Sequence, residues 1–433
     1  MKIAILGGGL TGLTSAYYLA KKGHSIVLYE AEGKLGGLAQ GFNRKGWEWE
    51  LERTYHHIFS NDGEILKLAR EIGYDGFVFT QPLTASLFGR VNNYRIFPVD
   101  SPKDFLLLPE LSFLSKLRAG ITIVFLKLSP FLSYYEKVTS GAFLRMTMGN
   151  EVWEVLWEQL FRKKFGIYAE KILASFIWAR VTKRTQNLGY PTGGFQTFID
   201  EVAAKDRSLG VLISKSSYIT NIRKEGVVYE VSGKKEGADF SETVDAIIST
   251  LPYPTTLKVM GDLLGEDYCA QQRKRKYLFA INLILKWDKP LLNKVYWLNV
   301  GARDIPFMCV VQHTNFVDKL HYDNKHITYI AWYVDEGSEL LKKNEEEMLK
   351  FVLPHLKNIN PQLSEVPEVV ALIKAPFAQP IFDAEFTKIP QSFATKEKNI
   401  LIANLDMTYP YDRGTNYAVK LGKVVSNYFL NQQ

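Results

Sequence analysis

Residues 50–59, ELERTYHHIF, contain two adjacent histidines, His56 and His57. An imidazole can bind a metal ion, transfer protons near neutral pH, or pack and form hydrogen bonds inside a protein. If the stretch is a strand, neighbouring side chains point to opposite faces, so the two rings do not converge on one metal ion. The sequence has no HxxxH, HExxH or CxxC motif to complete a metal shell. We therefore expect no metal site here, and proton transfer, substrate binding and packing stay open.

The chain begins with a stretch that can hold a dinucleotide, KIAILGGGLTGLTSAYYLAKKGHSIVLYEA. An unbroken apolar run predicts a strand buried on both faces, and a helical pattern of apolar residues follows it. Between them lie Gly7, Gly9 and Gly12 in GxGxxG spacing. The first glycine permits a tight turn, the second lets the backbone approach a pyrophosphate, and the third allows close packing of helix on strand.

The residues around this loop support the same prediction. Leu10 and Thr11 begin the predicted helix, whose free N–H groups present the positive end of the helix dipole to phosphates. Glu30 ends the next predicted strand and can accept hydrogen bonds from a ribose diol. Ala31, which is not basic, follows it, and this argues against the 2′-phosphate of NADP.

The segment GGGLTGL…LYEAEGKLGG resembles the opening of the FAD-dependent superfamily that contains monoamine oxidase, protoporphyrinogen oxidase, phytoene desaturase and UDP-galactopyranose mutase. The resemblance implies FAD as the cofactor, contacted by Gly36, Gly37 and Leu38. Lys34 stands where that family has an arginine, which keeps the positive charge but loses the bidentate fork.

Later stretches are also similar to this superfamily. YPTGGFQTFIDEVA, at 190–203, resembles the return of the chain into the FAD domain, and AIISTLP, at 246–252, resembles its exit. Between them, SSYITNIRKEG resembles the strand that meets the adenine, which implies a contact from Ile219.

The segment NILIANLDMTYPYDRGTNYAVKLGKVV resembles the part of the family that closes over the flavin. The usual Ala-Gly-Asp or Ala-Gly-Glu reads Ala403-Asn404-Leu405-Asp406 here, so either Asp406 or Asn404 with backbone groups replaces the acidic contact. A strand leads through a glycine into a helix, whose N-terminus would stabilise negative charge on a reduced flavin. An ordinary terminal helix with a threonine cap predicts the same letters. The implied cofactor contacts are Asn404, Asp406, Arg413, Gly414, Thr415 and Asn416.

These matches imply an α/β fold, with a Rossmann-type FAD-binding domain assembled from residues 1–75, 188–252 and 372–433. Residues 76–187 read as a helical substrate-domain insertion, in which a Trp and Phe stripe is typical of core packing. Residues 253–371 contain strand-like runs that predict an antiparallel sheet, giving a mixed sheet-and-helix substrate domain.

The composition excludes several classes of protein. Two distant cysteines, Cys269 and Cys309, exclude a disulfide framework, and we found no signal peptide and no nucleic-acid motif, so we expect a cytoplasmic protein without a nucleic-acid partner. The basic run at 273–276 reads as a solvent-exposed face or, less readily, as a contact to an anionic surface or ligand. The apolar region around AGITIVFLKLSPFL reads either as a buried helical subdomain or as a surface in peripheral contact with a membrane.

The leading functional prediction is an FAD-dependent oxidoreductase that transfers a hydride from a small organic substrate to flavin N5. UDP-galactopyranose mutase has a similar HIF sequence, which implies that His57, or His56 after a shift of one residue, lies beside the flavin. Tyr409 and Tyr411 are expected to flank the ring, and Arg413 is also a candidate for an anionic substrate group. The expected substrate wall comprises Trp297, Gln312, His313 and Asn315.

Two other functions remain open at this point. One is a redox-neutral mutase acting on a nucleotide sugar, and the other is a flavin-binding scaffold without turnover. The sequence does not determine the substrate, the electron acceptor or the oligomeric state.

Overall fold

A five-stranded parallel sheet forms the base of the molecule in the computed structural model, which describes residues 1–432. Its central strand, Lys2–Leu6, pairs with its neighbours in register, so that Ile5 lies opposite Leu28 on one side and Ile248 on the other. The apolar side chains of the central strand are buried because helices cover one face of the sheet, and a three-stranded antiparallel sheet of residues 217–244 packs on the other. The strand order across this sheet is Leu212–Ser214, Ser25–Tyr29, Lys2–Leu6, Ala246–Ser249 and Ile400–Ile402.

Two helices from distant parts of the chain pack against each other on this sheet. Leu10–Ala20 follows the first strand and Thr415–Leu430 follows the last. At Gly422 a Cβ atom would lie only 2.5 Å from the Thr11 carbonyl oxygen, so the contact requires a glycine. Ser15 Oγ donates to the Gly422 carbonyl at 3.3 Å. The start of the chain and its last described helix therefore form one unit.

A seven-stranded sheet stands above this unit. All its neighbouring strands are antiparallel except Leu83–Phe88 and Val295–Val300, which run parallel. The order is Glu368–Pro380, Tyr277–Trp287, His326–Val334, Cys309–Gln312, Val295–Val300, Leu83–Phe88 and Arg95–Pro98. The helix Glu345–Ile359 packs on it.

Two details of this sheet differ from the sequence-based division of the chain. The stretch 76–187 is not purely helical, because it supplies two strands of the sheet, Leu83–Phe88 and Arg95–Pro98. The predicted boundary at residue 372 falls inside the strand Glu368–Pro380. The domain limits themselves remain a prediction.

Helices account for most of the first insertion. Trp153, Phe161 and Phe165 of the aromatic stripe are buried, as a core-packing pattern predicts, but Phe161 and Phe165 also border a cavity. The helices here are Pro102–Leu107, Phe113–Leu128, Leu132–Tyr135, Ser140–Met148, Asn150–Val152, the π-helical turn Trp153–Trp157, Glu158–Phe165 and Ser175–Lys183.

The remaining described strands form three smaller sheets. A three-stranded antiparallel sheet comprises Ser217–Glu225, Val228–Lys235 and Ala238–Val244. Small sheets pair Gly41–Phe42 with Leu51–Glu52, and Leu188–Pro191 with Ile58–Phe59 and Phe77–Thr80. The helices are Gly63–Ile72, Phe195–Ser208, Tyr253–Leu264 and Glu266–Gln272. The predicted α/β fold with a mixed second domain is confirmed.

Candidate functional site

A cavity of about 260 Å³ lies between the parallel-sheet unit and the seven-stranded sheet. It is bounded by the HHIF segment, the helix Ser175–Lys183, the strand Val295–Val300 and the first turn of Thr415–Leu430. Its walls are mainly aromatic and basic. The aromatic lining comprises Tyr55, Phe59, Trp157, Phe161, Phe165, Phe176, Tyr296, Trp297, Tyr333, Tyr411 and Tyr417.

The glycine loop at the start of the chain forms a narrow, open cleft with the second glycine pair. Gly9 and Gly36 form a backbone bridge, and a Cβ atom on Gly9 would meet only Gly37 Cα, at 3.9 Å. By contrast, a Cβ atom on Gly12 would lie 2.0 Å from the Gly7 carbonyl oxygen, so this position is filled by close packing. The helix begins at Gly9 without a side-chain cap from the described residues, which leaves its first N–H groups facing the cleft. These features fit a pyrophosphate.

Glu30 lies beside this cleft at the end of its strand. Its carboxylate accepts hydrogen bonds from Gly8 N at 2.8 Å and from Glu32 N at 2.9 Å. Burial raises the pKa of Glu30, and these backbone donors oppose the rise. A carboxylate held in this way retains lone pairs for a ribose diol.

The helix Thr415–Leu430 begins at the opposite end of the site. Its N-cap is Gly414, and no described side chain caps it. Thr415 lines the cavity, and its buried Oγ1 has no hydrogen-bond partner within residues 1–432. A buried hydroxyl without a partner is uncommon in a folded protein, so an external group that completes this hydrogen bond is expected. The alternative, in which the Thr415 side chain caps an ordinary terminal helix, is therefore wrong.

A family model described as flavin containing amine oxidoreductase matches residues 10–399. The chain is a member of this family. Coproporphyrinogen III oxidase of Staphylococcus aureus (strain NCTC 8325 / PS 47) is 25% identical over 305 residues, which cover 61% of this chain and 64% of that enzyme. The match therefore spans just under two thirds of that relative.

Solved structures share the fold along the whole chain. A provisionally named protoporphyrinogen oxidase from Exiguobacterium sp. 255-15 has a TM-score of 0.74 at 18% identity, covering 100% of this chain and 99% of that one. Reduced UDP-galactopyranose mutase has a TM-score of 0.75 at 16% identity, covering 100% and 96%. The family match confirms the predicted class, a flavin-containing oxidoreductase.

Both histidines of the HHIF segment line the cavity of this flavoenzyme. The strand here is only Ile58–Phe59, so the alternation expected of a strand does not apply to the residues before it. His56 Nδ1 lies 2.5 Å from the Thr54 carbonyl oxygen, and His57 Nδ1 lies 3.1 Å from the Tyr296 hydroxyl. Burial lowers the pKa of His56 to about 4 and that of His57 to about 3, so both rings are neutral at pH 7.

Asn404 and Asp406, which follow the last strand of the parallel sheet, have different partners. Asp406 forms a buried ion pair with Arg275 at 3.4 Å and accepts a hydrogen bond from the Tyr277 hydroxyl at 2.8 Å. Asn404 donates to the Leu251 carbonyl at 3.2 Å, and Leu251 is within reach of a Cβ atom on Gly7. The geometry therefore favours Asn404 over Asp406 as the residue near the glycine loop.

The basic run at 273–276 is not uniformly solvent-exposed. The Arg275 side chain is only 1% exposed, and its guanidinium lies 4.4 Å from the Tyr253 ring centroid and 5.2 Å from that of Phe386. The expectation of a wholly solvated face is wrong at this position. Arg273, by contrast, is exposed and pairs with Glu266 at the surface.

Tyr411 and Tyr409 lie in different places. Tyr411 lines the cavity and stacks on Tyr417, with ring centroids 4.7 Å apart and planes inclined by 5°. Tyr409 packs against Phe382, and its hydroxyl donates to Ser175 Oγ at 3.0 Å. Tyr409 is not among the described residues that line the cavity, so the expectation that it flanks the ring needs correction.

The expected substrate wall also needs correction. Trp297 lines the cavity, with its ring centroid 6.0 Å from that of His57. Gln312, His313 and Asn315 are not among the described residues that line the cavity, because other parts of the protein satisfy their polar groups. The ring of His313 packs against Tyr190, with centroids 5.3 Å apart. Gln312 Oε1 accepts from Leu291 N and Leu292 N, His313 Nε2 lies 2.9 Å from the Tyr322 hydroxyl, and Asn315 donates to the Leu292 and Val295 carbonyls.

Three other predicted cofactor contacts have partners within the protein. Lys34 forms an ion pair with Glu50, and Ile219 is buried in the core behind the sheet. Asn416 lines the cavity, but its Oδ1 accepts hydrogen bonds from Glu64 N and Ile65 N, both at 3.0 Å, and so caps the helix Gly63–Ile72. Leu38 and Ala31 lie next to the second glycine pair and to Glu30, respectively.

Arg413 and its neighbours form the inner polar wall of the cavity. Arg413 donates to the Tyr333 hydroxyl and, at 3.1 Å, to the Ala378 carbonyl. Asp412 pairs with Lys164 at 2.6 Å. The sequence interpretation missed Lys164, because its helical stretch reads as ordinary core packing, and only the tertiary contact reveals it.

Proposed function

We propose that this flavoenzyme holds FAD between the glycine loop and the first turn of Thr415–Leu430, and oxidises an organic substrate in the adjoining cavity. The observation that carries the proposal is the uncapped start of this helix, where the buried Thr415 Oγ1 lacks a partner within residues 1–432. FAD, when bound, supplies a hydride acceptor at N5. The helix N-terminus favours negative charge beside it, and Thr415 completes the contact with a hydrogen bond.

In this proposal, the glycine cleft holds the pyrophosphate and Glu30 the adjacent ribose. A backbone cradle suits this task because its N–H groups are fixed by the fold and need no reorganisation when the phosphates bind. Asn404 and Gly414 contribute from the last strand and the helix start. Asp406 has a structural role, since its charge is already compensated by Arg275.

His57 positions the substrate. A ring whose pKa is about 3 does not retain a proton at neutral pH, which makes it a weak general base. Its Nδ1 is held by the Tyr296 hydroxyl, so Nε2 is the atom left for a hydrogen bond to the substrate. Trp297, which packs edge-on to the His57 ring, excludes water from the same face.

The test is spectroscopic. The purified protein should be yellow, with flavin absorption bands, and anaerobic addition of an oxidisable substrate should bleach them. A screen should include amines, polyprenyl compounds, porphyrinogens and nucleotide sugars. A colourless protein that takes up no FAD on reconstitution contradicts the proposal. Turnover of a nucleotide sugar without net bleaching of the flavin would favour the alternative function, a redox-neutral mutase. UDP-galactopyranose mutase shares the fold at 16% identity.

We also propose that the helix Phe113–Leu128 docks on an anionic membrane surface. Its solvent face carries seven large apolar side chains that are 51–78% exposed, namely Phe113, Leu114, Leu117, Ile121, Val124, Phe125 and Leu128. The helix also carries Lys116, Arg118 and Lys127 and has no acidic residue. Contiguous exposed apolar surface flanked by cations suits the headgroup region of an anionic bilayer. Among residues 1–432 there is no helix with the length and apolar character needed to traverse a bilayer.

Vesicle sedimentation tests this docking surface. The protein should bind vesicles containing phosphatidylglycerol more tightly than pure phosphatidylcholine vesicles, and Ile121→Glu with Phe125→Glu should abolish binding. Val227→Glu is the matched control, because Val227 is 87% exposed in a distant turn. If the wild type fails to bind and instead forms dimers that the double variant prevents, the face is an interface between copies and the membrane proposal is wrong.

A further inference from the structure

The exposed rim of the cavity carries three basic side chains close together. Arg180, Lys183 and Arg184 lie at the end of the helix Ser175–Lys183 and all line the cavity. The Arg180 and Arg184 side chains are 35% and 41% exposed, so a ligand entering from solvent can reach them. Lys183 has no carboxylate partner in the described part of the chain, and its Nζ lies 5.5 Å from the Tyr411 ring centroid.

The acidic groups of the cavity do not neutralise these cations. Of the three acidic residues described in the lining, Asp412 is occupied by Lys164 at 2.6 Å and lies 3.9 Å from Arg180. Asp100 approaches Arg184 only to 4.0 Å, and its carboxylate accepts from Thr84 N.

The third acidic residue faces the protein backbone. Asp62 accepts from Phe59 N at 2.8 Å, and burial raises its pKa to about 6. The neutral His56 and His57 add no charge.

We infer that this rim binds an anionic group of the substrate, a carboxylate or a phosphate, and that the enzyme discriminates against amines. The inference rests on the proposed function, because it concerns the same cavity. Arginine forks match the two oxygens of a carboxylate or phosphate. An ammonium group would instead meet three cations at the rim, and Asp62 is the one acidic residue of the described lining without an ion-pair partner. The aromatic walls then receive the apolar body of the substrate while the rim fixes its charged end.

Three probes with one aromatic body and different charges test this inference on the purified holoenzyme: benzoate, phenyl phosphate and benzylamine. Their binding is followed by the perturbation of the flavin absorption bands. We expect the better of the two anions to bind at least tenfold more tightly than benzylamine, with an affinity that falls as salt increases. The order of benzoate and phenyl phosphate tells which anion the rim prefers.

Variants locate the effect. Arg180→Gln with Arg184→Gln should weaken anion binding at least tenfold and leave the FAD content unchanged, and Arg180→Lys with Arg184→Lys should restore part of it. Arg223→Gln, on the exposed strand Ser217–Glu225, is the control for loss of one surface charge. Benzylamine binding as tightly as the anions, or equal weakening by the control, overturns the inference while FAD binding stands. If the protein cannot bind FAD, that result contradicts the proposed function itself.

Discussion

The two helices that begin at the proposed FAD site hold it in different ways. Around Leu10–Ala20 the contacts come from backbone, and Gly12 packs so tightly on Gly7 that no side chain fits. Around Thr415–Leu430 the first turn faces a cavity lined by charged and aromatic side chains. In the proposed site, fixed backbone N–H donors at the first helix bind the pyrophosphate. At the second helix, side chains face the substrate. Substitutions at the two ends should differ in kind.

Gly9→Val should have the largest effect, namely complete loss of bound FAD from a folded protein. A Cβ atom added at Gly9 meets only Gly37 Cα, at 3.9 Å, so the new side chain starts without a clash and extends into the proposed phosphate cleft. FAD content per folded chain measures this. Gly120→Val, at a position with open space around its Cβ, is the control and should retain the cofactor. In contrast, Gly12→Val should lower both FAD content and thermal stability. A stable Gly12→Val protein that retains flavin would show that the glycine loop does not bind the pyrophosphate as proposed.

Asp406→Ala should come next and should act on stability. It leaves the buried Arg275 without its partner, and breaking a buried ion pair costs roughly 3–5 kcal/mol in the free energy of unfolding. Urea denaturation measures the change. The FAD content of the remaining folded protein should match the wild type, and selective loss of flavin would return Asp406 to the cofactor site.

His57→Ala should lower kcat/KM by about tenfold, the size expected for loss of one hydrogen bond to a positioned substrate. The flavin spectrum should persist, because the backbone grip lies elsewhere. The pH profile of the wild type should show no histidine inflection between pH 5 and 8, since the pKa of His57 is about 3. If the variant has wild-type kinetics, His57 packs in the cavity wall and does not position the substrate.

Thr415→Val keeps the shape of the side chain and removes its Oγ1. We expect the dissociation constant of FAD to rise about fivefold, which corresponds to one neutral hydrogen bond of about 1 kcal/mol. The measurement is equilibrium titration of the apoprotein with FAD. Thr220→Val, on the exposed strand Ser217–Glu225, is a matched control. An unchanged dissociation constant would mean that this hydroxyl does not face the cofactor.

The smallest effect concerns pH. His56 has an unfolded pKa of about 6.5 and a folded pKa of about 4, so the native state favours the neutral ring. Its contribution to stability is full above pH 6.5 and is lost as the pH falls toward 4. Between pH 7 and pH 6 this single ring lowers the free energy of unfolding by about 0.7 kcal/mol. His56→Gln should remove that increment, and an identical slope in the variant would contradict the assignment.

The sequence predicted the parallel-sheet unit well, because its signals are local. The apolar strand, the glycine spacing and the acid at the next strand end lie within 30 residues. The cavity wall was harder to predict, since it depends on distant pairings. Nothing local indicates that Leu83–Phe88 pairs with Val295–Val300.

Single residues show the same limit. Arg275 sits in a basic run that reads as surface, yet an aspartate 131 positions away draws it into the core. Gln312 and Asn315 interrupt an apolar strand, but other parts of the protein satisfy their polar groups. Arg180 lies in a helix that the sequence predicts, and Arg184 directly follows the observed end of that helix. A helical pattern does not indicate which of the nearby cations reach a cavity.

The contact between Ser15 and Gly422 joins residues 407 positions apart in the chain. On the ribosome, the glycine loop emerges long before the helix that completes the proposed site. A nascent chain therefore contains only one half of this site. If the proposed site is correct, the chain retains the cofactor only after the helix Thr415–Leu430 has been translated. A truncated product should therefore emerge from expression as apoprotein, and prove more vulnerable to proteolysis than the complete enzyme.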